Sequence, residues 1–317
     1  MTRNDVLNSI SLKKRFCKDC NLPIAVFDNP YFTERLYAID PLCNCVEKFD
    51  IFCEELENFK NEQDYFEYYN SVKDSIIDSI KGKSDYIAFN NLTNLAVNAK
   101  YCRKNLYIEE NDASTFISID MKKANFSAMR HYSTGIFDDC DTWEQYVERF
   151  TKCNHIINSK YIRQVILGAC NPGKQIKYEH YLMGRLLDYI VSEQPSVADM
   201  VYSLGEDEIL LQVTDNHNIS LNTLREIIHN CPDGIGKLVK IEMFVLDKIV
   251  GTDGWLKTIY DFANNGTNRV EFKCLNAEIY HQVVKHYYGE PIEDDDLVFY
   301  HNGQLAKFLQ EVSNPWK

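Results

Sequence analysis

Residues 116–132, FISIDMKKANFSAMRHY, decide the fold when read with residues 200–213, MVYSLGEDEILLQV. Phe116 to Ile119 is a short apolar run rich in β-formers, which predicts a buried strand. It ends in Asp120, and Ala124, Phe126, Met129 and Tyr132 follow at helical spacing. An acid where a buried strand gives way to a helix sits at a rim, where it can hold a metal. The second stretch reads strand, turn, strand: Met200 to Leu204 runs in, Gly205-Glu206-Asp207 turns, and Ile209 to Val213 runs back. If the two strands pair, Asp120 lies beside Glu206, Asp207 and Glu208. Carboxylates that close repel one another unless a cation separates them. Mg²⁺, which prefers carboxylate and phosphate oxygens, is the expected cation. Taken singly, Asp120 reads better as a helix N-cap and the 206–208 cluster as a polar hairpin tip; it is their combination with the intervening loop and helix that favours a metal site.

The chain has 317 residues, 45% hydrophobic and 26% charged, enough for one large or two modest domains with a real core. Its formal net charge of -13 counts against a general binder of phosphate backbones. It leaves room for an enzyme with a local basic channel or a basic protein partner. No apolar run has membrane-spanning length, so no membrane is expected. The N-terminus MTRNDVLNSISLKKRF lacks an apolar signal core. The 11 cysteines are scattered, which suits free thiols in a reducing cytoplasm better than a disulfide framework. A zinc site could be drawn from Cys17, Cys20, Cys43, Cys45 and Cys53, but Cys43-x-Cys45 has the wrong spacing for the usual knuckle.

Residues 1–59 read as irregular, punctuated by Pro23, Pro30 and Pro41. Residues 60–82 read as an amphipathic helix ended by Gly82. Residues 89–105 read as a second helix, with Leu92, Leu95, Ala96 and Ala99 followed by Lys100, Arg103 and Lys104. Short strands are expected at 106–108 and 115–119. Residues 141–165 look mostly helical. The turn Asn171-Pro172-Gly173 then opens a helix, with Lys174 and Gln175 at its start as a possible phosphate seat. Residues 218–250 read as helix, turn and long strand. RVEFKCLN reads as a further strand and 276–288 as a helix, with a last short helix after His301-Asn302-Gly303.

This order of parts resembles the palm of reverse transcriptases and related palm-type polymerases over roughly residues 100–250. Asp120, Ala124, Asn125 and Phe126 stand where that family has a strand-ending Asp, an Ala four residues on, the sugar-sensing residue at five and an aromatic at six. LGACNPGKQ and its helix stand for the family's glycine-containing loop and long helix. YSLGEDEILL stands for its acidic hairpin, with Asp207-Glu208 in place of two aspartates. The resemblance implies an α+β fold: a palm with an antiparallel sheet backed by helices (106–275), a helical fingers-like or accessory part (1–105) and a C-terminal helical extension (276–317). It implies a nucleotidyltransferase in which a 3′-hydroxyl attacks a nucleoside triphosphate, with a nucleic-acid template or primer. Two Mg²⁺ (or Mn²⁺) ions would sit on Asp120, Glu206, Asp207 and Glu208, with Asp120, Asp207 and Glu208 catalytic. Lys122, Lys123, Arg163, Lys174 and Gln175 would face the triphosphate, and Asn125 and Phe126 the sugar. The alternatives are another phosphate-processing enzyme on the same scaffold, a hydrolase or cyclase, and an inactive palm-like subunit or interaction module.

Overall fold

The computed structural model describes residues 1–93, 95–96, 100–260 and 268–316. Its N-terminal part is helical from the start: α1 (Arg3–Asn8), α2 (Ile10–Cys20), α3 (Tyr31–Cys43), α4 (Cys45–Leu56), α5 (Glu62–Lys81) and α6 (Ser84–Asn90). The irregular region expected over 1–59 is therefore corrected to four helices. Thr2 and Ser9 cap the first two, and Pro30 and Pro41 fall at the start and in the last turn of α3, where neither interrupts a helix. Cys17, Cys45 and Cys53 are buried among the apolar side chains of this core, and the cysteines are free. The buried Asp19 carboxylate ties four helical segments together. It accepts from Tyr69 (3.0 Å), Ser159 (2.9 Å) and the His155 ring (2.8 Å).

The helix expected over 89–105 is also corrected. α6 ends at Asn90, and the described residues beyond it up to 105 are not helical. Ala99 lies outside the described residues. Nor is 106–108 a strand; a single 3₁₀ turn at Glu109–Asn111 leads into β1 (Ser114–Met121). There follow α7 (Ala124–Tyr132), α8 (Trp143–Val147), α9 (Asn154–Asn158), α10 (Lys160–Gly168) and α11 (Pro172–Glu193). Then come β2 (Val201–Leu204), β3 (Glu208–Val213), α12 (Leu221–His229), β4 (Val239–Lys248), β5 (Trp255–Tyr260) and β6 (Arg269–Lys273). Among the described residues these six strands form one antiparallel sheet in the order β2-β3-β1-β4-β5-β6. From β1 through α11, the β2–β3 hairpin and α12 to β4, the path is a split β-α-β-β-α-β unit, widened by β5 and β6.

Alternation along β1 divides the sheet into two faces. Ile117, Ile119 and Met121 join Ile209 and Leu211 in the main core with Met129, Leu182 and Leu186 of the helices. Phe116, Ser118 and Asp120 point the other way. There Phe116, Leu210, Phe244, Leu246, Trp255 and Ile259 form a second, smaller cluster, closed over by Leu106 and Tyr107. The architecture is thus mixed α+β, with helices on one face of an antiparallel sheet.

The C-terminal part carries α13 (Tyr280–Tyr288), then β7 (Val298–His301) and β8 (Gln304–Lys307). The last short helix is corrected to a hairpin. Asn302 and Gly303 both take positive φ (49° and 79°), the requirement of a two-residue hairpin turn. Arg35 of α3 donates to the Val298 carbonyl (2.6 Å), which anchors this piece to the N-terminal helices, and Lys285 pairs with buried Asp296 (2.6 Å) within it.

Candidate carboxylate site

Pairing of β1 with β3 places Asp120 directly opposite Glu208. The Met121 amide donates to the Asp207 carbonyl (2.9 Å), carrying the ladder onto the hairpin tip. Gly205 makes the turn, its amide donating to the Glu208 carbonyl (2.8 Å). From beneath, His180 of α11 contacts the Gly205 carbonyl through Nδ1 (3.0 Å) and fixes the tip against that helix.

The acids differ in their surroundings. Asp120 Oδ2 lies 3.2 Å from Lys240, which also reaches Glu242 (3.2 Å). Arg269 continues this row of alternating charges from Glu242 (2.8 Å) to Glu271 (3.2 Å). Burial opposes the Lys240 charge, but Asp120 and Glu242 raise its pKa above the usual lysine value. Glu206 pairs with Arg103 (2.8 Å), and Glu208 accepts from the Ser118 hydroxyl (2.6 Å). Asp207 is held above the usual carboxylate range by burial, with Asp120 and Glu206 adding repulsion. Burial also raises Glu208. Glu179 of α11, buried below the tip, is pushed up to about 7 by burial, with Asp207 and Glu206 reinforcing the shift. It accepts from the Asn125 amide (3.2 Å).

The four acids expected to share metal do not converge as one ligand set. Among the described residues no three His, Cys, Asp or Glu side chains are grouped to hold an ion. The reason is local: Glu206 turns to Arg103 and Glu208 to Ser118. What fits a hard cation is the pair Asp120 and Asp207, the charge of Asp120 lying close enough to oppose ionisation of Asp207. Mg²⁺ takes one or two carboxylates and completes its shell with water and phosphate oxygens.

Two grooves lie near the ends of these strands, and Glu206, Asp207 and Glu208 line the second of them. One, of about 520 Å³, includes Lys122, Lys123, Arg130, His131 and Lys237 in its lining, with Phe126 and Trp143 behind them. The Lys122 amide donates to the Leu238 carbonyl (2.8 Å), which draws β1's end and the segment before β4 together. Lys123 pairs with Glu144, and Arg130 with Asp141 (2.6 Å). Lys122 and Lys237 make no ion pair among the described residues. The second groove, of about 490 Å³, lies on the other face of the tip, between Gly205 to Glu208 and residues 103–107.

Other expected substrate residues lie elsewhere. Gln175 is fully buried, its amide donating to the Leu167 and Cys170 carbonyls, so it packs the turn rather than facing a phosphate. Lys174 donates to the Leu92 carbonyl, and the α11 N-terminus is capped by Asn171. The phosphate seat expected there is corrected: its donors are spent on the chain itself. Arg163 is partly buried near Glu144, and burial lowers its pKa. Phe126 packs against Phe137 (4.7 Å between centroids) and Trp143, within the core rather than open to a sugar.

Glu179, Lys240 and Lys257 escaped the sequence reading. Glu179 stands four residues before Met183 and seven before Leu186, an acid on an apolar helix face. Lys240 alternates with Glu242 and Phe244 on the face that carries Asp120. Both signals were available in residues 172–193 and 239–248.

No family model, curated protein or solved structure matches this chain.

Proposed function

We propose that the chain is a palm-type nucleotidyltransferase, joining a 3′-hydroxyl to the α-phosphate of a nucleoside triphosphate. The observation that supports this best is the adjacency of Asp120 and Asp207 at one rim of the sheet, with Asp207 lining a groove of about 490 Å³ and a cationic groove beginning at Lys122, just past the end of β1. The split β-α-β-β-α-β path and the motif order shared with palm polymerases agree with it. A divalent ion on the two aspartates supplies positive charge to the attacking and leaving oxygens. The rest falls to the chain. Lys122 and Lys237 attract the triphosphate into the cationic groove. Asn125, oriented by Glu179, borders the same end of β1. Lys240 pairs with Asp120 at 3.2 Å and offsets its charge. Phosphoryl transfer of this kind needs positioning and charge neutralisation more than covalent help.

Mixing the protein with Mg²⁺, labelled nucleoside triphosphates and nucleic-acid acceptors tests the proposal, incorporation being the supporting result and its absence the opposing one. The Lys122→Ala/Lys237→Ala double variant is expected to raise the triphosphate KM about 10-fold, the size of one or two lost charge-assisted contacts, with kcat little changed. Steady-state kinetics checks it; an unchanged KM would move the triphosphate elsewhere.

A second reading is a non-catalytic interaction module. On its side stand the Lys240–Asp120 and Arg103–Glu206 pairs, which neutralise the acids without any ion. Failure to bind Mn²⁺ in titration would favour it.

A further inference from the structure

The sheet face that carries Asp120 is not open along its length. Residues 102–112 cross it as a strap. The Leu204 amide donates to the Cys102 carbonyl (3.2 Å) and the Lys104 amide to Ser203 Oγ (2.9 Å), fastening the strap to β2. Tyr202 donates to the Asn105 carbonyl (2.6 Å) and accepts from Asn111 (2.9 Å). Asp112 accepts the Lys248 amide (2.7 Å), tying the far end to β4. Beneath it Phe116 and Phe244 are 0% exposed. A double helix laid on this face would have to displace a packed apolar cluster.

What the strap leaves free is the groove of about 490 Å³ beside the carboxylates. That is the size of a small-molecule site, not of a duplex cleft. Tyr107, half-buried, is the aromatic wall of this groove. Lys257 lines it as well. This lysine is 8% exposed, and its Nζ rests 4.2 Å from the Phe244 ring centroid. It makes no hydrogen bond and no ion pair among the described residues. Its counter-charges are Glu271, its cross-strand partner, with Glu208 and Glu242, and its N–H donors are left for an acceptor oxygen of a ligand in the groove. The net charge of -13 agrees, because gripping a duplex relies on many phosphate contacts to basic side chains.

We infer that the acceptor in this groove is one unpaired nucleotide with a free 3′-hydroxyl, either a mononucleotide or the end of a single strand, and not a base-paired primer. The inference rests on the nucleotidyltransferase reading. The base stacks on Tyr107, and a base carbonyl or ribose hydroxyl accepts from Lys257. The 3′-oxygen forms a bond to the α-phosphorus of the triphosphate. The bond from that phosphorus to the bridging β-oxygen breaks, pyrophosphate leaves with the electron pair, and the hydroxyl proton passes to solvent.

The test compares a nucleoside monophosphate, a single-stranded oligonucleotide and a recessed primer–template duplex as acceptors, with Mg²⁺ and nucleoside triphosphates. Binding of each acceptor is titrated in parallel without triphosphate. Transfer to an unpaired end is expected to exceed transfer to the duplex at least 10-fold in kcat/KM. The mononucleotide and oligonucleotide arms identify the source. Tyr107→Ala is expected to raise the acceptor KM about 10-fold, from lost base stacking, while leaving the triphosphate KM unchanged, and Tyr107→Phe to restore it. Lys257→Met, a second variant, is expected to weaken the same binding. Preference for the duplex, or indifference of the acceptor KM to both substitutions, overturns the inference and leaves the nucleotidyltransferase reading standing. Tyr107-dependent binding of unpaired nucleotide without transfer overturns that reading and keeps the groove's ligand. Neither binding nor transfer overturns both.

Discussion

Asp207→Asn is expected to abolish nucleotide incorporation while making the fold more stable. The two effects have one cause. Asp207 is half-buried at the hairpin tip and lies within the field of Asp120 and Glu206, so its ionised form is disfavoured in the folded chain. An amide keeps the shape and removes the repulsion, and the urea midpoint at neutral pH without divalent ions should rise. The same amide removes half of the charge that would attract the ion. Loss of a preorganised electrostatic partner in such sites costs about 10²–10³ in rate or more. Asp120→Asn should lose activity equally but gain no comparable stability, because Asp120 already has Lys240 at 3.2 Å. Incorporation assays and urea titrations on the two variants check both halves. An Asp207→Asn protein that is less stable yet fully active would place the acid in a structural role.

Glu179→Gln carries the second large effect, and it depends on pH. The Glu179 carboxyl titrates at about 7 instead of 4.5, because burial and then Asp207 and Glu206 oppose its charge. Between these values the folded chain holds a proton that the unfolded chain has released. Stability therefore falls as pH rises from about 4.5 to 7, and the full penalty applies above 7. The shift sets an upper bound of about 3 kcal/mol at 1.36 kcal/mol per unit. Glu179→Gln removes the titration and keeps the oxygen that accepts from Asn125. The variant should match the parent near pH 5 and exceed it at pH 8, by urea unfolding without divalent ions. Parallel pH profiles for the two proteins would contradict this.

Much of the carboxylate rim was legible in the residues themselves. A β-rich run ending in Asp120 and an acidic tip between two apolar runs suffice to predict a strand and a hairpin. Alternation forces Asp120 off the core face once Ile117 and Ile119 are buried. Pairing of the two followed as an expectation, and the register sets Asp120 against Glu208. The failures have physical reasons. Leu92 and Leu95 mimic a helical stripe, but both pack against the core from a non-helical segment. Leu106 and Tyr107 read as a strand because they are apolar; what they cover is the far face of the sheet, a tertiary contact that no local pattern encodes. Lys174 and Gln175 fit the composition of a phosphate loop, yet their hydrogen bonds close on Leu92, Leu167 and Cys170. Trp255 to Tyr260 is rich in β-formers after Asp253-Gly254 and could have been read as β5 from that signal.

The claim on which the rest depends is that Asp120 and Asp207 share a divalent ion with a nucleotide. Crystals grown with Mn²⁺ and a non-hydrolysable nucleoside triphosphate would locate the ion by its anomalous scattering. The account predicts a peak about 2.1–2.2 Å from carboxylate oxygens of both residues, with triphosphate oxygens completing the shell. Nucleotide bound in the cationic groove with no manganese between the two aspartates would contradict it.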